Sequence, residues 1–254
     1  MVGIPVILLS VWYGGLPLSV VILIIAVVGI IEMCRLWNRM DIHAWLPGAL
    51  AGGFGFIIST YYEDRYLFEF ALFLTLAAGI IYLISVYPSF TFTDLSATVF
   101  TPIYAGWFLA HIIYLRQLPD GFHFVFLVLA ATWCTDTFAY FVGINIGRHK
   151  LAPVLSPNKS VEGALGGVAG SVAVSLVIGI ITHRIPVIHY IVLGLLTGII
   201  GQVGDLLESA VKRSAGVKDS GRLIPGHGGM LDRFDSLYLT APMVYYYIRL
   251  FITN

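Results

Sequence analysis

The sequence predicts an all-α, polytopic integral membrane protein of about nine transmembrane helices. Three observations lead there. Of 254 residues, 58% are hydrophobic and only 11% charged, too few to cover the surface of a soluble domain of this size. Mean hydropathy is +0.90. Apolar runs of about 20 residues, each long enough to cross the hydrocarbon core as a helix, recur along the whole chain.

Taken in order, the predicted spans cover 2–13, 17–37, 44–60, 66–86, 97–115, 121–143, 162–182, 187–209 and 235–252. The breaks carry turn punctuation: Gly14-Gly15-Leu16-Pro17, Tyr61 to Arg65, Pro88, Pro119-Asp120-Gly121 and Arg184-Ile185-Pro186. Met1 to Tyr13 is apolar but has neither a basic leader nor a small-residue cleavage site, so it reads as a shortened first span, not a removable signal peptide. With no repeat, low-complexity tract or linker, residues 1–254 read as one integral membrane domain. Net charge is zero, which implies no bulk attraction to nucleic acid. Cys34 and Cys134 lie in or beside apolar runs without metal spacing and read as small buried hydrophobes.

Basic residues set the orientation. With the amino terminus in the cytoplasm, nine alternating spans place Arg35, Arg39, Arg148, Lys150, Lys159, Lys212, Arg213, Lys218, Arg222 and Arg233 there, and only Arg65, Arg116, Arg184 and Arg249 outside. The two most polar loops, 144–161 and 210–234, then share the cytoplasmic face and predict a polar pocket on it.

The eighth span ends with Asp205, Glu208, Ser209 and Lys212 at spacings that share one helical stripe. Carboxylates in a membrane segment face a wet cavity or a partner, so this stripe reads either as a site or as an internal Glu208–Lys212 ion pair. Lys218-Asp219, Pro225-Gly226-His227-Gly228-Gly229 and Asp232-Arg233-Phe234-Asp235 follow. Asp232 and Asp235 stand one helical turn apart. Hard oxygen donors with room for water and phosphate suit Mg²⁺, and glycine-flanked backbone N–H groups suit an anion. The plainer alternative is a solvated charged loop with a helix cap at Asp232.

The stretch Ser209-x-Val211-Lys212-Arg213-x₄-Lys218-Asp219-x-Gly221-x₂-Ile224-Pro225-x-His227-Gly228-Gly229-Met230-x-Asp232-Arg233-Phe234-Asp235 resembles the signature of the phosphatidate cytidylyltransferases, or CDP-diglyceride synthases. A second block, Ser156-Pro157-Asn158-Lys159-Ser160-Val161-Glu162-Gly163, is similar to the family's Ser-Pro-x-Lys-Thr-Trp-Glu-Gly, with Ser160 and Val161 replacing Thr and Trp. Asp136, before Ala139-Tyr140 and Gly143, matches a third block.

The resemblance implies transfer of a cytidylyl group from CTP to phosphatidate, a homodimer, and Mg²⁺ as cofactor with the number of cations left open; the compact chain points to the cytoplasmic membrane, with an internal eukaryotic membrane as the alternative. It implies a metal on Asp205, Asp232 and Asp235, and substrate phosphates held by Lys212, Arg213, Lys218 and Arg233. Ser209 joins that substrate-binding set. Asp219 would contact substrate or pair with a cation. His227, Gly228 and Gly229 would wall a phosphate, and Lys159 and Ser160 would close the pocket.

Asp136 reads equally as lining the cavity or as satisfying an interhelical hydrogen bond. Glu32 near Arg35, and Glu69 near Arg65, read as helix-end ion pairs. His111, His123, His183 and His189 read as interfacial. Two rivals remain: a cytidylyltransferase for another lipid phosphate, and an ion-coupled transporter. The transporter would spread polar residues through several spans, whereas here charge gathers at one face.

Overall fold

The computed structural model describes residues 3–221 and 228–253. A helix occupies each of the nine predicted segments: α1 (Gly3–Tyr13), α2 (Gly15–Asn38), α3 (Leu46–Tyr62), α4 (Arg65–Val86), α5 (Phe92–Pro102) continued by a π-helical turn (Ile103–Phe108) and α6 (Leu109–Gln117), α7 (Gly121–Ile146), α8 (Val161–Thr182), α9 (Val187–Ser214) and α10 (Leu231–Phe251). Among the described residues, six helical stretches are long and apolar enough to cross a membrane: α2, α4, the α5–α6 run, α7, α8 and α9. The π-turn follows Pro102, which has no N–H to continue the regular ladder.

Chain contacts divide the protein into two compact units, each built from two stretches of sequence. The first comprises Met1–Gln117 and Val211–Phe234. Its centre is α3, packed on α2, α4, α5 and the π-turn. The small residues of Gly48 to Gly55 let these helices close in. At Gly53 a Cβ would lie 2.5 Å from the Ile30 side chain, and at Gly106 one would meet the Gly53 backbone at 3.3 Å. α4 buries only Ala71, Thr75 and Gly79 and exposes Phe70, Phe73, Ile80, Ile81 and Ile84, as a lipid-facing helix does. The loop after α2 is tied down by α5: Asp94 caps its own helix through Thr91 and accepts the His43 N–H at 2.6 Å.

The second unit comprises Leu118–Ala210 and Asp235–Asn254. α7 and α8 form an extensive antiparallel contact in which Gly163, Gly166, Gly167 and Gly170 lie against α7. Tyr190 on α9 ties three helices, with its hydroxyl 3.0 Å from both His123 on α7 and Thr182 on α8. His189 reaches Tyr247 at 2.8 Å. His123 and His189 are therefore interhelical ties. His111, expected at an interface, is buried at 1% exposure, with Nδ1 2.9 Å from the Trp107 carbonyl.

The loop at 144–161 contains structure that periodicity did not reveal. Lys150–Ala152 (β1) pairs antiparallel with Ser156–Ser160 (β2), placing Lys150 opposite Ser160. The hairpin delivers Ser160 to α8 as its N-cap: Oγ accepts the Gly163 N–H at 3.1 Å. Glu162 then accepts the Arg148 and His149 N–H groups at 3.0 and 3.2 Å and meets His149 Nδ1 at 2.5 Å.

Candidate active site

In the first unit, the signature stretch begins on a helix. α9 runs to Ser214, so Lys212 and Arg213 ride its last turn, where positive charge complements the helix end. Lys212 Nζ donates to Asp232 Oδ1 at 2.6 Å. The other oxygen of Asp232 accepts the Ser220 N–H at 2.9 Å, the Ser220 hydroxyl at 2.8 Å and the Gly229 N–H at 2.7 Å. Four donors thus fix one carboxylate at the start of α10. Gly228, at φ 78° in the left-handed region, supports this return of the chain.

Behind that cradle lies a residue the sequence did not disclose. Glu32 of α2, 2% exposed, accepts the Met230 N–H at 3.0 Å, the Leu231 N–H at 2.9 Å and the Ser220 hydroxyl at 3.1 Å. Ser220 Oγ is therefore shared between Glu32 and Asp232. The expected Glu32–Arg35 pair is not what α2 builds. Glu32 faces inward to the loop, whereas Arg35 is exposed. The exposed Arg65–Glu69 pair does form, at 2.7 Å. Distance in sequence hides Glu32, because its donors are two main-chain N–H groups, which leave no compositional trace, and a serine hydroxyl from the far end of the chain.

In the second unit, α9 and α10 approach closely at Gly204, where a Cβ would lie 2.6 Å from the Asp235 carbonyl oxygen. The residue after Gly204 is Asp205, which forms an ion pair with Lys159 of β2. Asp136 of α7 and Asp235 of α10 both feel the charges of Asp205 and Lys159, and Asp235 also feels that of Asp136. Three carboxylates thus lie within electrostatic reach of one ammonium group, which is paired with Asp205 alone, and leave a formal excess of two negative charges. Asp136, Lys159 and Asp205 open onto a cavity of about 620 Å³, with Tyr140, Lys150, Asn158 and Gln202 among its other walls. Asp136 is accordingly a cavity-lining residue. Its neighbours Thr132, Thr135 and Thr137 return their hydroxyls to carbonyls of their own helix.

These carboxylates supply the hard oxygen donors that Mg²⁺ favours. Among the described residues, no three His, Cys, Asp or Glu side chains stand close enough together to hold a metal ion in this arrangement.

The remaining expected site residues divide as follows. Lys218 and Asp219 are exposed and line a second cavity with Arg35, Asn38 and Arg39. Arg213 donates to the Val217 carbonyl at 3.2 Å. Ser209 is half-buried and Arg233 exposed. Ser160 is buried, with its hydroxyl engaged in capping α8. Gly229 directs its N–H to Asp232, so in this structure the anion that it meets is the protein's own. His227 lies outside the described residues.

Comparison with known proteins bears directly on this chain. Residues 1–251 match the model of the Cytidylyltransferase family. A phosphatidate cytidylyltransferase of Bacillus subtilis (strain 168) is 35% identical over 94% of this chain and 91% of its own length. A phosphatidate cytidylyltransferase of Staphylococcus haemolyticus (strain JCSC1435) is 38% identical over 61% of this chain and 59% of its own length. YnbB of Escherichia coli (strain K12), an uncharacterised protein, is 43% identical over 60% of this chain and 50% of its own length.

Proposed function

The chain belongs to the cytidylyltransferase family, a family of nucleotidyltransferases, and we propose that it transfers the cytidylyl group of CTP to phosphatidate. The products are CDP-diacylglycerol and pyrophosphate. A lipid phosphate oxygen attacks the α-phosphorus of CTP, and the bond from that phosphorus to the bridging oxygen of the β-phosphate breaks. The lipid phosphate is itself the nucleophile, so no serine or cysteine of the protein is required.

The observation that carries this reading is a pair of carboxylates on candidate spans, Asp136 of α7 and Asp205 of α9, that line one cavity with Lys159 of β2 and feel the charge of one another. Ionisable groups inside spans are unfavourable unless a polar ligand or partner meets them. Transfer between two polyanions depends mainly on positioning and charge neutralisation.

Lys159, at the cavity wall, would hold a substrate phosphate oxygen. Lys212, Arg213, Lys218 and Arg233 serve the same purpose in the signature stretch, and Asp232 keeps Lys212 in place. By the family pattern Asp205, Asp232 and Asp235 would hold Mg²⁺, and the ion, when bound, would offset charge on the departing pyrophosphate. We place the protein as a homodimer in the cytoplasmic membrane, with the reacting groups facing the cytoplasm.

The test uses purified protein in detergent with phosphatidate and CTP labelled at either the α- or the γ-phosphorus. The α-label should enter lipid in a Mg²⁺-dependent manner and the γ-label should leave as pyrophosphate. Entry of the γ-label into lipid would instead indicate a kinase. Parallel reactions with an isoprenoid ether phosphate read the preference for lipid tails.

A further inference from the structure

We propose that Arg35 and Arg39, at the end of α2, form with Lys218 a binding subsite for a substrate phosphate. This inference rests on the transferase reading above and adds two residues that lie outside every motif on which that reading was based. Arg35, Asn38, Arg39, Lys218, Asp219 and Ser220 line a cavity of about 790 Å³ in the first unit.

Three features give the cavity its chemistry. Arg35, Arg39 and Lys218 are exposed, and none of them takes part in an ion pair among the described residues. Among the described residues of the wall Asp219 is the one carboxylate, so three positive charges against one negative leave a formal excess of two. That excess matches a phosphate monoester, which carries about −1.5 to −2 at neutral pH.

Placement narrows the ligand further. α2 is one of the spans, so the side chains at its end stand where lipid headgroups lie. A helix carboxyl end repels anions by itself, but two guanidinium groups reverse the sign of that field. The cavity wall is also continuous with the reaction machinery. Its Ser220 donates to Asp232 and to Glu32, and Glu32 lies one turn before Arg35 on the same helix. A phosphate held here rests against the turn that fixes Asp232.

The shared chemistry is a phosphate, and it belongs either to phosphatidate or to CTP. The experiment is steady-state kinetics on wild type, Arg35→Gln/Arg39→Gln and Arg35→Lys/Arg39→Lys, with equilibrium binding of CTP and of a short-chain phosphatidate to the same proteins. Arg65→Gln, which alters an exposed pair far along the sequence, is the control. Loss of two charge-assisted contacts should raise KM for one substrate by about tenfold or more and leave kcat within about threefold. The lysine variant should recover much of that loss.

A shift confined to phosphatidate identifies the lipid headgroup as occupant, and a shift confined to CTP identifies the triphosphate. Unchanged KM values and unchanged binding in an active glutamine variant would overturn the subsite while leaving the reaction intact. If wild type transferred no label, yet bound either compound through these arginines, the reaction would fall and the subsite would stand. Should the glutamine double variant not fold, the single variants decide by the same readouts.

Discussion

The carboxylate of Glu32 on α2 accepts the backbone N–H of Leu231, the first residue of α10, at 2.9 Å across 199 positions of sequence. A helix's first N–H groups lack intrahelical acceptors, and its positive end favours an anion. Glu32 supplies both needs from another helix while holding Ser220, which also binds Asp232. Glu32→Ala should remove about 2–3 kcal/mol of stability by leaving buried donors unmet. Glu32→Gln, which turns an amide donor toward other donors, should lower transfer by about tenfold or more with a smaller loss of thermal stability. Thermal unfolding in detergent alongside the transfer assay reads both; full activity in Glu32→Gln would contradict the account.

The same carboxylate explains two signature glycines. A Cβ on Gly221 would strike Glu32 first, and one on Gly229 would strike the Ser220 hydroxyl first and lie 2.6 Å from both Glu32 oxygens. Gly229→Ala and Gly221→Ala should each destabilise the protein. Combined with Glu32→Ala, Gly221→Ala should add less than its separate effect, since its colliding group is gone, whereas Gly229→Ala would still meet the Ser220 hydroxyl. A double-mutant cycle should show coupling of about 0.5 kcal/mol or more, and strict additivity would argue against this origin.

Lys159 neutralises one of three neighbouring carboxylates. Lys159→Met should therefore raise apparent affinity for divalent cations while reducing transfer by about tenfold or more, because a charge that offsets phosphate is lost. Titrating Mg²⁺ against activity separates the two effects. An unchanged Mg²⁺ midpoint would detach Lys159 from the acidic group.

Ser160→Ala removes the cap of α8 and should lower stability by about 1 kcal/mol, the usual magnitude for a lost N-cap. Because the hydroxyl caps the helix from a buried position, the fall in activity should track the loss of folded protein. A large loss of kcat in fully folded Ser160→Ala would instead show direct contact with substrate.

The helices were legible because each apolar run is long and is bounded by Gly, Pro or charged residues, as at Gly14-Gly15 and Pro119-Asp120-Gly121. The stripe carrying Asp205 and Lys212 was legible too, since α9 covers both at helical spacing. The hairpin at 150–160 was not, because its short strands include Pro157 and have no alternating apolar pattern. Glu32 was misread for a different reason. Local spacing offered Arg35 as a partner, while its actual donors are main-chain N–H groups and a hydroxyl nearly two hundred residues away. Arg35 and Arg39 were read only as orientation signals, because their cavity also requires Lys218 and Ser220 from the far end of the chain.

The most direct measurement compares wild type with Asp232→Asn in the transfer of α-labelled CTP to phosphatidate, both proteins purified and checked for folding. The account predicts Mg²⁺-dependent CDP-lipid from wild type, and a loss of at least about a hundredfold in the variant, because Lys212, Ser220 and Gly229 all converge on that carboxylate. Wild type that forms no CDP-lipid from phosphatidate, or a folded Asp232→Asn that works as well as wild type, would contradict it.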